Sequence, residues 1–260
     1  MKVTIIGSGN MGGAIARGLS KGSIVKAEDI TCTDYSQKTL DKLNAEIPEL
    51  HTLLDNAEAC RNADIIFLAV KPWIIEEVIY DIRHAVKCEK QIIVSIAAGL
   101  TFEQLTSYLE KDFPILFRVI PNTAIEIQSS MTLISACNAN DEQTKMILAI
   151  FNELGKALLI EERLMAAATA LASCGLAYAM RYIRAATEGG VELGFYPHEA
   201  QEIVLQTVKG AAELLLANKN HPEAEIDKVT TPGGITIKGL NAMEHAGFTS
   251  AVIQGLKASK

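Results

Sequence analysis

"VTIIGSGNMGGAIARGL", residues 3–19, sets a short apolar run directly before three glycines, Gly7, Gly9 and Gly12, spaced GxGxxG. The run predicts a strand and the residues after it an amphipathic helix. In such a unit the first glycine makes the tight turn, the second lets the backbone approach a pyrophosphate, and the third lets helix and strand pack closely. The first N–H groups of the helix have no intrahelical acceptor and face the anion. Asp34 stands 22 residues beyond Gly12, at the end of the next apolar run, "ITCTD". An acidic side chain there can accept hydrogen bonds from the adenosine ribose. Asp34 also fits the N-cap of the helix "SQKTLDKL", a role open to Ser36, and Ser36 with Lys38 suits a 2′-phosphate. NADH and NADPH therefore both stay open.

The alternation continues outward from this unit. "DIIFLAV", "QIIVSI" and "ILFRVI" are apolar throughout, as parallel strands covered on both faces require, and amphipathic stretches such as "WIIEEVIYDI" lie between them. An α/β fold with a doubly wound sheet is predicted. Beyond Asn140 strand signals stop except for "ALLIE" at 157–161, and helical patterns take over. The expected division is a dinucleotide-binding domain over 1–161 and a helical domain over 162–260. Pro197 and Glu199 mark a helix start. Ile203 or Val204, Thr207 or Val208, Ala211 and Leu215 predict its buried stripe.

Charge and cysteine usage narrow the function classes. The net charge of −7 and scattered lysines and arginines give no basic stripe for nucleic acid. Five cysteines lie far apart with no CxxC, and no histidine stands at metal-ligand spacing, so neither a disulfide framework nor a metal site is expected. The N-terminal apolar run is too short for a signal peptide, and a cytoplasmic protein is expected. "LMAAATALASCGLAYAM" (164–180) carries no charge, but its small residues predict a helix buried on most sides rather than a membrane span. Trp73, directly after "AVKP", is expected to pack at a helix start.

"IIGSGNMGGAI", Asn56 before "ADIIFLAVKP", "IVSIAAG", "IPNT" and above all "VTTPGGITIKGLNAMEHAGF" (229–248) resemble pyrroline-5-carboxylate reductase along the whole chain. The resemblance implies a Rossmann domain followed by a helical domain intertwined with a second subunit, and dimers able to join into larger rings. It implies reduction of 1-pyrroline-5-carboxylate to L-proline by NADPH or NADH. The implied cofactor residues are Gly7, Ser8, Gly9, Asn10, Met11, Gly12, Asp34, Ser36, Asn56, Val70, Lys71, Pro72, Ala97 and Ala98. The implied substrate residues are Thr231, Gly233, Gly234, Ile235 and Thr236, with Ser173 and Cys174. Chemically, Pro232, Gly233 and Gly234 form a tight loop whose free N–H groups suit a carboxylate. A loop capped by Thr230 or Thr231 is the competing reading. Thr236 is the expected catalytic residue, its hydroxyl near the ring nitrogen.

One segment departs from the family pattern. The family usually reads close to "TALSGSGPAY" where this chain has "TALASCGLAY" (169–178), with Ala172, Ser173, Cys174 and Leu176 at the differing positions. That departure leaves two further readings: a reductase of a different cyclic imino acid, or a nicotinamide-binding protein weakened in catalysis.

Overall fold

The computed structural model describes residues 1–260. Its contacts divide the chain into two compact units, Met1–Ser173 and Cys174–Lys260. The expected boundary at 161/162 falls earlier, at the start of a long helical run.

The first unit is built on one eight-stranded sheet. β1 (Val3–Ile6), β2 (Ile30–Thr33), β3 (His51–Leu53), β4 (Ile65–Leu68), β5 (Ile92–Ser95), β6 (Leu116–Ile120), β7 (Ser130–Cys137) and β8 (Gly155–Leu159) lie in the order 3-2-1-4-5-6-7-8. The first six strands are parallel and have the Rossmann order, which reverses at β1. At that reversal the connections leave β1 and β4 toward opposite sides and open a crevice beyond the strands' carboxyl ends.

Alternate residues of the apolar strands feed two cores. Phe67, Val94 and Phe117 pack with Ile15 and Leu19 of α1 (Asn10–Leu19) and Ile147, Ile150 and Phe151 of α6 (Asp141–Glu153). Ile66, Leu68 and Ile93 pack with Ile75, Ile79 and Ile82 of α4 (Ile75–Ile82) and Leu105 and Leu109 of α5 (Phe102–Leu109). The sheet is thus covered on both faces, which explains its unbroken apolar runs. Two short helices, α2 (Gln37–Glu46) and α3 (Asn56–Cys60), complete the crossovers to β3 and β4.

The last two strands depart from the expected parallel sheet, β8 pairing parallel to β7. β7 runs antiparallel to β6. Only residues 121–129 join them, fewer than a parallel crossover needs, so the chain turns back as a hairpin.

Beyond β8, α7 (Met165–Ala168) passes into a π-helical turn, Thr169–Cys174, and then α8 (Gly175–Glu192). The second unit adds α9 (Pro197–Asn218), α10 (Pro222–Lys228), α11 (Ile235–His245) and α12 (Phe248–Ala258). Pro197 opens α9, and Glu199 accepts the Tyr196 N–H at 3.1 Å. Gly190 lets α8 touch α9, since a Cβ there would lie 2.9 Å from the Ala200 Cβ. Tyr182 meets Phe248 edge-on at 6.4 Å, joining α8 to α12.

Two expectations about these helices need correction. The segment expected to be buried on most sides has no buried residue in α8, and the expected α9 stripe is only half covered at Val204, Val208 and Leu215. Ala200 is the one buried residue of α9. Five helices cannot enclose this much apolar surface alone, so Met180, Leu214, Leu216 and Ile253 stand exposed. The helical run Glu162–Glu192 is also long and apolar enough, by length and composition, to cross a membrane.

Candidate active site

A cleft of about 1180 Å³ opens at the carboxyl ends of the strands, lined wholly by the first unit. Gly7, Gly9, Asn10 and Met11 form its floor where β1 turns into α1. Gly7 has φ +91°, and its N–H donates to the Thr33 carbonyl at 2.8 Å. A Cβ on Gly12 would strike the Gly7 carbonyl oxygen, so Gly12 allows the helix to reach the turn. Gly9 differs: nothing lies within 4 Å of where its Cβ would stand. Its lack of a side chain therefore serves nothing inside the protein and leaves room for a ligand against the backbone. Gly9 is the N-cap of α1, no side chain caps that helix, and its first turn has no acidic residue. The free N–H groups and the positive end of the helix dipole face the cleft, a fit for a pyrophosphate.

Asp34 settles into a role that both sequence readings missed. Its carboxylate accepts the Ser8 N–H at 2.9 Å and the Ser36 N–H at 2.9 Å, tying the glycine turn to the end of β2. Ser36 caps α2 by accepting the Thr39 N–H at 3.4 Å. Ser8 is buried and donates its hydroxyl to the Thr33 carbonyl at 3.0 Å. Asp34 also lines the cleft; Ser8, Gly12 and Ser36 do not, and their work is in the wall behind it. Asn56 lines the cleft as well, accepting from the Thr33 hydroxyl at 2.6 Å and donating to Asp81 at 3.3 Å.

The other wall comes from the ends of β4, β5 and β6. Val70, Lys71, Pro72, Ala97 and Ala98 line it, joined by Ile120, Pro121 and Thr123, and by Thr169 and Ser173 of the π turn. Asn122, buried beneath, donates to the Ala172 carbonyl at 3.1 Å and accepts the Ala124 N–H at 3.0 Å. That bond satisfies a carbonyl of the irregular turn and fixes the segment that presents Ser173. Such π insertions recur at functional sites. Cys174 belongs to the second unit and does not line the cleft.

Several lining residues carried no sequence signal: Tyr35, Glu77, Tyr80, Asp81 and His84. The last four lie on α4 or just beyond its end and would have been found by projecting that helix. His84 is exposed, but it belongs to the cleft. Trp73, expected to pack, is 78% exposed and outside the lining, with Lys71 Nζ 6.0 Å from its ring.

In the second unit the Thr231 carbonyl accepts the Gly234 N–H at 2.9 Å, closing a turn with Pro232 and Gly233 at its centre. Gly233 has φ +71°, as the third residue of a Pro-Gly type II turn requires. Gly234 is the N-cap of α11, with no side-chain cap and no acidic residue in the first turn. Neither Thr230 nor Thr231 caps the helix; Thr230 donates instead to the Ile226 carbonyl at 2.7 Å. Ile235 and Thr236 are exposed. The loop therefore offers free N–H groups and one hydroxyl to an anion. No group of His, Cys, Asp and Glu is arranged to hold a metal ion.

Comparison with known proteins adds three findings. Residues 162–260 match the family model for pyrroline-5-carboxylate reductase dimerisation, and residues 2–99 match that for coenzyme F420-dependent NADP oxidoreductase. Pyrroline-5-carboxylate reductases 1 and 2 of Dictyostelium discoideum are 41% and 39% identical over 99% of the chain, which spans 48% of the first and 90% of the second. The Methanosarcina acetivorans pyrroline-5-carboxylate reductase is 35% identical, with 100% and 97% of the two chains covered. Among solved structures, a Plasmodium falciparum pyrroline carboxylate reductase with NADP bound superposes with TM-score 0.90 at 29% identity, covering 100% of this chain and 95% of that one.

Proposed function

Because the chain belongs to the pyrroline-5-carboxylate reductase family, we propose that it reduces 1-pyrroline-5-carboxylate to L-proline with NADPH or NADH, the last step of proline biosynthesis. The observation that carries this reading is the pairing, in one chain, of two uncapped helix N-termini. One stands behind the open Gly9 and suits a pyrophosphate; the other stands behind the Gly233 turn and suits a carboxylate.

Bound reduced nicotinamide supplies the hydride that the imine carbon accepts. The chain's own task is positioning, because a protonated cyclic imine is already electrophilic. Gly7, Gly9, Asn10 and Met11 hold the pyrophosphate, Asp34 and Asn56 face the adenosine end, and Val70, Lys71, Pro72, Ala97 and Ala98 wall the remainder. Ser8, Gly12 and Ser36 hold that wall in place. Gly233 and Ile235 present backbone N–H groups to the substrate carboxylate, while the Gly234 N–H closes the turn onto the Thr231 carbonyl beside them. Thr236 places its hydroxyl near the ring nitrogen, where it donates or relays a proton. Ser173 and Cys174 border the substrate.

The family match over 162–260 and the exposed apolar faces of α8, α9 and α12 support a homodimer with intertwined helical domains, able to join into a larger ring. The same faces account for the apolar run Glu162–Glu192 as interface rather than membrane span, since Arg181, Arg184 and Glu188 interrupt it. A cytoplasmic location fits the five free cysteines. The domains proposed are 1–161 for the dinucleotide and 162–260 for substrate and assembly.

The π turn keeps a second reading in view, because Ser173, one of the departures from the family pattern, lines the cleft: the substrate would then be a different cyclic imino acid. The test uses Thr236→Val and Thr236→Ala with 1-pyrroline-5-carboxylate and with 1-pyrroline, which lacks the carboxylate. Both variants should turn over about 10- to 1,000-fold more slowly with cofactor affinity retained, and wild type should prefer the carboxylated substrate. Unchanged turnover removes Thr236 from the reaction, and no preference removes the carboxylate loop.

A further inference from the structure

The reductase reading leaves the choice between two cofactors that differ by one phosphate on the adenosine ribose. A cleft that takes the phosphate must offer donors or cations where the ribose lies; one that refuses it needs fixed negative charge there. The cleft beyond β2 has the second character. Asp34 is held by two backbone N–H groups at 2.9 Å each, so its carboxylate cannot swing away. From Thr33, beside it in the chain, a hydrogen-bond path runs through Asn56 to Asp81, which also lines the cleft. One of the two Asn56 amide N–H groups is thereby directed to Asp81 rather than to a ligand.

The positive groups nearby do not offset this. Ser36 and Lys38, which the sequence allowed as phosphate partners, both lie outside the lining, Ser36 at the cap of α2 and Lys38 exposed. Arg17 is engaged by Glu46 at 2.6 Å. Lys71 and His84 share the lining with three carboxylates, Asp34, Glu77 and Asp81.

We propose that the carboxylates of Asp34 and Asp81, held through Ser8, Ser36 and Asn56, make this protein select NADH over NADPH. The inference rests on the cleft being the dinucleotide site. Asp34 accepts from the 2′-hydroxyl of NADH, whereas a 2′-phosphate placed there meets a fixed like charge.

The test is calorimetric titration of the full-length protein with ADP-ribose and with 2′-phospho-ADP-ribose, which separates the adenosine end from hydride chemistry. ADP-ribose should bind at least about ten-fold more tightly at low ionic strength, and the ratio should shrink as salt is added. Asp34→Asn should narrow the ratio several-fold, and Asp81→Asn should narrow it less. Asp81→Asn leaves the Ser8 and Ser36 contacts intact, so it remains informative if Asp34→Asn loosens the glycine turn. Equal or tighter binding of the phosphorylated probe, or a ratio unchanged in both variants, overturns the selectivity while the cleft assignment stands. Binding of neither probe removes the cleft assignment and the inference with it.

Discussion

Gly9 and Gly12 lie three residues apart, and the structure assigns them opposite reasons for being glycine. Replacing Gly9 by alanine adds a methyl that meets no atom within 4 Å. The residue has φ −66°, which alanine adopts freely. Losing glycine at an N-cap costs a few tenths of a kcal/mol to about 1, and the smaller entropy of the unfolded chain returns about 0.4–1 kcal/mol. The stability of Gly9→Ala should therefore lie within about 0.5 kcal/mol of wild type. Its methyl, however, occupies the space a pyrophosphate needs. Displacing a close contact of this kind costs about 1–3 kcal/mol, or about 5- to 150-fold in cofactor affinity. Gly12→Ala drives its Cβ into the Gly7 carbonyl, so the backbone must move at a cost of about 1–3 kcal/mol in stability. Thermal unfolding followed by circular dichroism and cofactor titration by nicotinamide fluorescence separate the two. A Gly9→Ala protein that binds cofactor as wild type does, or that unfolds as early as Gly12→Ala, refutes the reasoning.

Two other outcomes follow from single contacts. Asn122→Ala strips partners from the Ala172 carbonyl and the Ala124 N–H and should cost about 1–2 kcal/mol. Because the π turn carries Ser173, turnover should fall further than cofactor affinity; an unchanged melting temperature would show that the turn holds without Asn122. Burial pushes the Cys32 and Cys60 thiols up to about 12, so both stay protonated through neutral and mildly basic pH. At about pH 8 a thiol reagent should label them only as fast as the protein unfolds, with prompt labelling after denaturant. Rapid labelling of either in the native protein contradicts their burial.

The sheet was legible where its strands are apolar on both faces, and illegible where polar residues are buried. "DIIFLAV" and "QIIVSI" announce β4 and β5. β7, "SMTLISAC", does not, because Ser130, Thr132 and Ser135 are buried despite their polarity. Ser130 and Thr132 satisfy each other at 3.0 Å, and Ser130 also accepts the Asn122 N–H. A hydropathy reading cannot anticipate hydrogen bonds between side chains and loops it has not yet placed. The same holds for Asp34. Its position was readable from the distance to the glycines, but its bonds to Ser8 and Ser36 depend on how the two turns meet. The helical unit failed for another reason. Apolar periodicity reports that a face is to be covered, not by what, so the stripe on α9 read as buried within the chain when it stands largely open in it. At the C-terminal loop, Pro232 followed by two glycines predicts the turn from backbone physics alone, whereas its ligand required the family resemblance.

The central claim is the reduction of one cyclic imine, and the most direct measurement incubates the purified protein with reduced nicotinamide cofactor and racemic 1-pyrroline-5-carboxylate. Loss of nicotinamide absorbance is followed and the product resolved by chiral chromatography. The account predicts cofactor oxidation matched mole for mole by L-proline, with the D-enantiomer unformed. Absence of oxidation from protein that demonstrably binds the cofactor would contradict it and direct attention to the residues that replace the family pattern at 172–176.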